Sequence, residues 1–376
     1  MQRTLAFVGS LNRATAYFHQ DARGAGISVF DFDEATGQLS LLAERVGVDN
    51  PTFLTVDTDS RYLYATSEVA GWNEGVVTAF RVDPATGQLR YINKQPTLGS
   101  IAAHCSLDRG GRHLIVANYS MDPPGDPPGQ SVALFPVRGD GGLGPASCSV
   151  RHVGSGPVPE RQEAPHPHCA LASPDNRFVL VTDLGTDRIV SYRFDAQTGQ
   201  LDPQAAATLP LPGGSGPRHL SFHPNGRWLY AINEIAGTVA ALGYDPATGR
   251  LEPLQSVSAL PPGFQGDADG ADLHVDAAGR FVYGSVRGDA SIVAYAIDPA
   301  TGLLDPMGRY PSSGGIPRNL ALDPSGRSLL AANQGGDTIA AFAIAPQTGA
   351  LTTTGRDIAV GTPMCIKFAR FSYAPL

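Results

Sequence analysis

Histidine, arginine and carboxylate side chains recur at related positions along this chain. Three arginines, Arg218, Arg287 and Arg318, fall at such positions although the chain as a whole is acidic. Guanidinium groups gathered in one place suggest an anionic ligand, because they bind carboxylate and phosphate groups in a forked geometry. His168 and Glu234 supply the two kinds of side chain that general acid–base catalysis requires.

The wider set of polar residues falls at two positions of a repeating unit. One position lies at the start of the first strand of each unit, and the other follows the second strand. Five of the nine histidines occupy the first position: His104, His166, His168, His219 and His274. The candidate substrate-binding residues from both positions are His166, His219, Asp183, Asn233, Asp272, His274, Arg318, Asn319, Asn333 and Gln334.

The repeating unit is recognised first by a turn of the form Thr-Gly-x-Leu. Proline often precedes this turn and presets φ, while glycine supplies a positive φ, so each copy predicts a hairpin between two strands. The copies begin at Thr36, Thr86, Thr198, Thr248, Thr301 and Thr348, and a degenerate seventh copy lies at 139–143. A second pattern, clearest over 216–233, predicts a short strand, a turn and another strand.

Together the two patterns predict four strands in each unit of about 50 residues, repeated seven times. We therefore predict an all-β fold, a seven-bladed β-propeller with four antiparallel strands per blade. The alternative all-β fold, a β-sandwich, would not be expected to contain seven similar units. The segment 4–10 matches a second strand and 361–368 matches a first strand. The N- and C-terminal strands are therefore expected to pair in one blade, giving a single propeller domain over 1–376.

The two faces of such a propeller should differ in function. One face carries stereotyped turns, such as 223–226 and 245–249, which indicates a role in folding, and His223 there is expected to be structural. The other face carries the loops after second strands and the links into first strands. Its residues differ from unit to unit, so we expect the chemistry there.

Composition narrows the choice of partner and location. Lys and Arg number 27 against 35 Asp and Glu, a net charge of −8, which excludes a basic nucleic-acid footprint over the whole chain. No stretch reaches the length of a membrane span, and the apolar run near the N-terminus is too short for a signal peptide. The four cysteines are far apart, which favours reduced thiols and a cytoplasmic location.

The chain resembles the lactonase family of seven-bladed propellers, which includes the propeller type of 6-phosphogluconolactonase and the fungal carboxy-muconate lactonizing enzymes. The resemblance covers essentially the whole chain and rests on the segments 165–168, 216–219, 230–234, 271–274, 317–319 and 332–334, with Arg287. It implies that the catalytic residues are His168, Arg218, Glu234 and Arg287, and that no metal or cofactor is obligatory. Two loops, at 23–26 and 121–130, depart from the pattern and are expected to overhang the mouth.

We therefore expect an enzyme of carbohydrate metabolism that hydrolyses an anionic sugar-acid lactone, foremost 6-phosphoglucono-1,5-lactone, with neither nucleic acid nor membrane as partner. Arg218 and Arg287 would hold the developing oxyanion or the anionic substituent, and either His168 or Glu234 would be the general base. Three alternatives stay open: a lactonizing cycloisomerase, a propeller that only binds a ligand, and a calcium-dependent lactonase of another propeller family.

Overall fold

The computed structural model describes residues 2–15, 17–18, 20–120 and 129–372. These residues form thirty β-strands and no helix, and thus no helix that could cross a membrane. The loop at 121–130 falls outside the described residues except for its last two positions.

The strands form seven antiparallel sheets, here called blades 1 to 7 in chain order. The innermost strands of blades 1 to 7 are β30 (Pro363–Ser372), β4 (Leu54–Val56), β8 (Ala102–Leu107), β12 (Pro167–Ala172), β17 (Pro217–Phe222), β21 (Gly270–Val275) and β25 (Pro317–Leu322). The second strands, in the same order, are β1 (Gln2–Ser10), β5 (Tyr62–Ser67), β9 (His113–Asn118), β13 (Phe178–Asp183), β18 (Trp228–Asn233), β22 (Phe281–Val286) and β26 (Ser328–Asn333).

The third strands are β2 (Ile27–Asp33), β6 (Val76–Val82), β10 (Val132–Pro136), β14 (Arg188–Asp195), β19 (Thr238–Tyr244), β23 (Ser291–Ile297) and β27 (Thr338–Ile344). The outermost strands are β3 (Gln38–Arg45), β7 (Leu89–Pro96), β11 (Cys148–Val150), β20 (Leu251–Ser258) and β24 (Leu304–Pro311). Blades 4 and 7 divide this strand into two pieces, β15 (Gln200–Leu201) with β16 (Ala207–Pro210), and β28 (Leu351–Thr353) with β29 (Ile358–Ala359).

The seven blades close into a ring. The innermost strands contact one another in the cycle β4, β8, β12, β17, β21, β25, β30 and back to β4. The ring is completed within blade 1, where β30 pairs antiparallel with β1, from Gln2 opposite Ser372 to Ser10 opposite Pro363. The predicted seven-bladed propeller, with its N- and C-terminal strands paired in one blade, is confirmed.

The hydrophobic core lies between the blades. Second strands such as Trp228–Asn233 and Phe281–Val286 are buried along their whole length, because both faces of each sheet pack against a neighbouring blade. Phe178 of blade 4 packs with Leu229 of blade 5 in one such layer. The outermost strands are the most exposed part of each blade, and in Leu251–Ser258 every residue is partly or fully exposed.

The Thr-Gly turns form the predicted hairpins and also tie the blades together. Gly249 has a φ of 74°, and its N–H donates to the carbonyl of Asp245 at 2.8 Å. The hydroxyl of Tyr230 in blade 5 donates to the carbonyl of Gly302 in the turn of blade 6 at 2.9 Å. Tyr283 does the same to Gly349 of blade 7 at 2.8 Å. This face is therefore held by repeated structural contacts.

Candidate active site

A cavity of about 330 Å³ opens at the opposite face, where the innermost strands begin. All four predicted catalytic residues line it, as do His166 and Arg318. The complete lining is Tyr17, Glu68, Ile101, Ala103, Tyr119, Glu160, Arg161, Glu163, His166, His168, Arg218, Glu234, Asp269, Arg287 and Arg318.

A β-bulge at the start of the innermost strands directs side chains into this cavity. In blade 5 the pairing register shifts between Pro217 and His219, so Arg218 has no partner on β18. The same shift leaves out His168 in blade 4 and Arg318 in blade 7. A bulge re-aims the extra residue, and all three of these residues line the cavity. Arg218 and its neighbour His219 can therefore both point toward the centre of the ring.

Glu234 is the centre of a network of arginines. Its Oε2 lies 2.7 Å from Nε of Arg218 and 3.0 Å from Nη2 of Arg287. Its Oε1 accepts a hydrogen bond from Nη2 of Arg161. Asp269 extends the network, with Oδ1 at 3.7 Å from Arg161 and 3.6 Å from Arg287. Both carboxylate oxygens of Glu234 are thus occupied by cations.

This network decides the protonation state of Glu234. Burial alone would raise its pKa, but the guanidinium groups of Arg287, Arg218 and Arg161 outweigh burial and hold the pKa well below the ordinary value. Glu234 is therefore a carboxylate across the working pH range, and a weak base. Its geometry suits it to hold guanidinium groups in position.

His168 is a neutral, buried side chain in the cavity wall. It is 4 % exposed, and burial, with the charge of Arg218 beside it, holds its pKa well below the usual value. Its Nδ1 is buried and has no hydrogen-bond partner in the described part of the chain. A neutral imidazole with an unused ring nitrogen can accept a proton from water.

A second layer of buried polar groups lies behind Arg218. Its Nη1 donates to the carbonyl of Ala271 at 2.7 Å and lies 3.3 Å from Nε2 of His219. Nδ1 of His219 lies 2.7 Å from Oδ1 of Asp272. Because Arg218 is only a donor, Nε2 of His219 accepts and Nδ1–H donates to Asp272. Burial lowers the pKa of His219 to about 4, so this arrangement persists at neutral pH.

The other predicted substrate-binding residues do not line the cavity. His219, Asp183, Asn233, Asp272, His274, Asn319, Asn333 and Gln334 are absent from its wall. Several brace the backbone instead: Asp183 accepts from the N–H of His166 at 2.8 Å, and Asn333 donates to the carbonyl of Ser312 at 2.9 Å. Asp272 also binds His274, with 2.9 Å between Oδ2 and Nε2. A direct part for these eight residues in substrate binding stays a prediction.

The cavity also contains residues absent from the predicted set. Glu68 and Tyr119 directly follow β5 and β9, the repeat position that Glu234 occupies in blade 5, so the repeat itself could have identified them. Tyr17, Arg161 and Asp269 lie in connections of irregular length, where no repeat pattern applies. The connection between β1 and β2 includes the 23–26 segment that was expected to overhang the mouth, and it contributes Tyr17 to the cavity wall.

In the described part of the chain, no group of three or more histidine, cysteine, aspartate or glutamate side chains is placed so that it could hold a metal ion. In the cavity, the carboxylates of Glu234 and Asp269 bind arginines instead.

The geometry is that of a propeller with a polar small-molecule site at one mouth: fixed guanidinium groups beside a neutral, buried imidazole. Such an arrangement can stabilise an oxyanion and accept a proton from water, the two requirements of acyl transfer to water.

Comparison with known proteins identifies the family of the chain. Residues 6–368 match the model of the seven-bladed β-propeller lactonase family. The chain belongs to this family.

Individual relatives cover most of the chain. It is 34 % identical over 319 residues to a 6-phosphogluconolactonase of Formosa agariphila, covering 84 % of this chain and 85 % of that one. It is 31 % identical over 313 residues to the 6-phosphogluconolactonase of Bacillus subtilis, covering 82 % and 85 %. Among solved structures, the periplasmic gluconolactonase of Pseudomonas aeruginosa superposes with a TM-score of 0.86 at 34 % identity, covering 98 % and 99 %.

Proposed function

We propose that the protein is an enzyme that hydrolyses a sugar-acid lactone, foremost 6-phosphoglucono-1,5-lactone. The observation that carries the proposal is the pair of arginines, Arg218 and Arg287, held on one oxygen of Glu234 in the cavity that also contains His168. The names of the relatives at 31 and 34 % identity support the same reaction.

The reaction makes three demands on the site. Water must lose a proton as its oxygen attacks the lactone carbonyl, the carbonyl oxygen becomes an oxyanion, and the ring oxygen takes up a proton as the carbon–oxygen bond breaks. The arginines meet the second demand because they remain charged and their positions are set before the substrate arrives.

We assign the role of general base to His168. Both oxygens of Glu234 already bind guanidinium groups, so neither is free to accept a proton from water. His168 is neutral and has an unused ring nitrogen. Once protonated by water, it can return that proton to the leaving ring oxygen, so no net proton is stored in the site. Glu234 then acts by holding Arg218 and Arg287.

The substrate class is a small sugar lactone, and a neutral lactone is the second candidate. The solved relative from P. aeruginosa is named a gluconolactonase rather than a phosphogluconolactonase. That relative is also named periplasmic, whereas we propose a cytoplasmic location here. Four free thiols, three of them buried, support that location. Cell fractionation with a periplasmic marker tests it, and recovery in the periplasmic fraction would contradict it.

The function is tested by titrating acid release at constant pH. We expect catalysed release from 6-phosphoglucono-1,5-lactone, slower release from glucono-1,5-lactone, and no loss of either activity after treatment with a chelator. Ligand binding without acid release would favour a binding module. Ring closure of a carboxy-muconate would favour the cycloisomerase, and loss of activity with chelator would favour a metal-dependent lactonase.

A further inference from the structure

We infer that Arg318 and Tyr17 form an anion subsite, so that the lactone binds with its carbonyl at Arg218 and Arg287 and its anionic substituent at Arg318. The inference rests on the proposed lactone hydrolysis and adds the orientation of the substrate and the residues that select for charge. Tyr17 was not among the residues that the sequence identified.

The evidence begins with a difference among the four arginines of the cavity. Arg161, Arg218 and Arg287 each lie within 4.0 Å of a carboxylate oxygen of Glu234, and two of them also reach Asp269. Arg318 has no carboxylate within 4.0 Å among residues 2–15, 17–18, 20–120 and 129–372. It is nevertheless only 9 % exposed. A guanidinium that is buried without a direct counterion is expensive unless a ligand supplies one.

Arg318 is held by the ring of Tyr17, and the carboxylates of Glu68, Glu234 and Asp269 act on its charge from more than 4.0 Å away. The guanidinium carbon lies 4.8 Å from the centroid of the Tyr17 ring, close enough for a cation–π contact. Glu68 also lines this part of the cavity, but its Oε2 accepts a hydrogen bond from the hydroxyl of Thr52 at 2.7 Å. The ring of Tyr17 can hold the plane of the guanidinium while leaving its N–H groups for a ligand.

The arginines that pair with Glu234 and the unpaired Arg318 lie on different parts of the ring. Arg218 and Glu234 belong to blade 5 and Arg287 follows the second strand of blade 6. Arg318 belongs to blade 7, and Tyr17 lies in the long connection between β1 and β2 of blade 1. Both parts line the same cavity of about 330 Å³, so one small lactone with an anionic group at the far end of its carbon chain can contact both. Phosphate and carboxylate share the forked oxygen geometry that arginine recognises.

The test compares three lactones in wild type and in Arg318→Gln: phosphorylated at C6, bearing a carboxylate at C6, and neutral. We expect Arg318→Gln to lower kcat/KM at least tenfold more for the preferred anionic lactone than for the neutral one. The comparison between phosphate and carboxylate identifies which anion the subsite prefers. Arg318→Lys should retain part of the selectivity, and Tyr17→Phe should retain more of it than Tyr17→Leu. Arg280→Gln, on the opposite face, is the matched control and should leave all three rates unchanged.

A binding measurement separates this inference from the proposed function. Inorganic phosphate should raise the unfolding temperature of wild type and not that of Arg318→Gln, whether or not any lactone is hydrolysed. If wild type hydrolyses no lactone, the proposed function fails, and this measurement still tests the subsite. The inference is wrong if Arg318→Gln lowers kcat/KM by the same factor for all three lactones. It is also wrong if phosphate raises the unfolding temperature of wild type and Arg318→Gln equally.

Discussion

Glu234 and Arg218 form an ion pair, 2.7 Å from Oε2 to Nε, in which the two side chains are only 6 % and 2 % exposed. Burying such a pair costs about as much desolvation energy as the pairing returns, so stability alone does not account for it. The position of the pair in the cavity suggests another role, because a buried guanidinium held at a fixed place can stabilise developing negative charge.

Removing the carboxylate of Glu234 should damage both activity and stability. In Glu234→Gln the side chain keeps its shape, but Arg218 and Arg287 lose their shared counterion. We expect kcat/KM to fall by roughly 100- to 1000-fold and the free energy of unfolding to fall by about 3 kcal/mol. Initial-rate kinetics and urea denaturation measure the two effects. Glu252→Gln, on the outermost strand of the same blade, is the control, and full activity of Glu234→Gln would contradict the role of the network.

Replacing His168 should affect the chemical step more than the fold. Its Nδ1 makes no hydrogen bond within the described residues, so His168→Gln breaks no bond at that atom and loses only ring contacts with Tyr119 and His219. Loss of the general base should lower kcat about 100- to 10,000-fold. His223→Gln is the matched variant on the opposite face, where Nε2 lies 2.8 Å from the carbonyl oxygen of Gly279. It should lower the unfolding temperature with little change in kcat, and the reverse pattern would contradict the assignment of the faces.

The stability of the protein should fall as the pH drops from about 6.5 to about 4.5. Burial lowers the pKa of His104, His168 and His219, so these side chains stay neutral when folded and take up protons when unfolded. The unfolded state then binds more protons in this window, and each histidine costs up to about 1.4 kcal/mol per pH unit. The pKa values of Glu234 and Asp272 are also lowered by the fold, so these carboxylates stabilise the folded state at neutral pH. That contribution is lost mainly below about pH 4.5.

Denaturant unfolding at pH 7, 6 and 5 checks the pH dependence. The free energy of unfolding should decrease at each step. Its dependence on pH should be weaker in His104→Gln, which lacks one of the buried imidazoles. A free energy that stays constant or rises between pH 7 and pH 5 would show that these histidines are not held neutral by the fold.

The pairing of β30 with β1 should be essential for folding, and we propose that the ring unfolds as one cooperative unit. A chain ending at Gly361 lacks the innermost strand of blade 1 and exposes the edge of β1. We expect it to yield no soluble folded protein, as judged by expression and thermal unfolding. A chain ending at Ser372 keeps β30 and is the control. Cooperative unfolding of the shorter chain at the same temperature would contradict this role.

The sequence by itself determined the number of blades, the closure of the ring and the face on which the predicted catalytic residues line a cavity. Each unit of about 50 residues contains its own turns and strand pattern, so this information is local and is repeated seven times. The same repetition separated residues such as Arg218 and Glu234, which depart from the common pattern, from His223 and the Thr-Gly turns, which belong to it.

Only the tertiary structure decided which polar residues form the site. Arg218 and His219 are adjacent in sequence, yet a bulge directs Arg218 into the cavity and leaves His219 behind it. Arg161 pairs with Glu234 across 73 residues, from a connection outside the repeat. Whether an arginine is paired or free depends on which carboxylates the neighbouring blades bring within reach. That property belongs to the packed ring, because Glu234 of blade 5 also pairs with Arg287, which follows the second strand of blade 6.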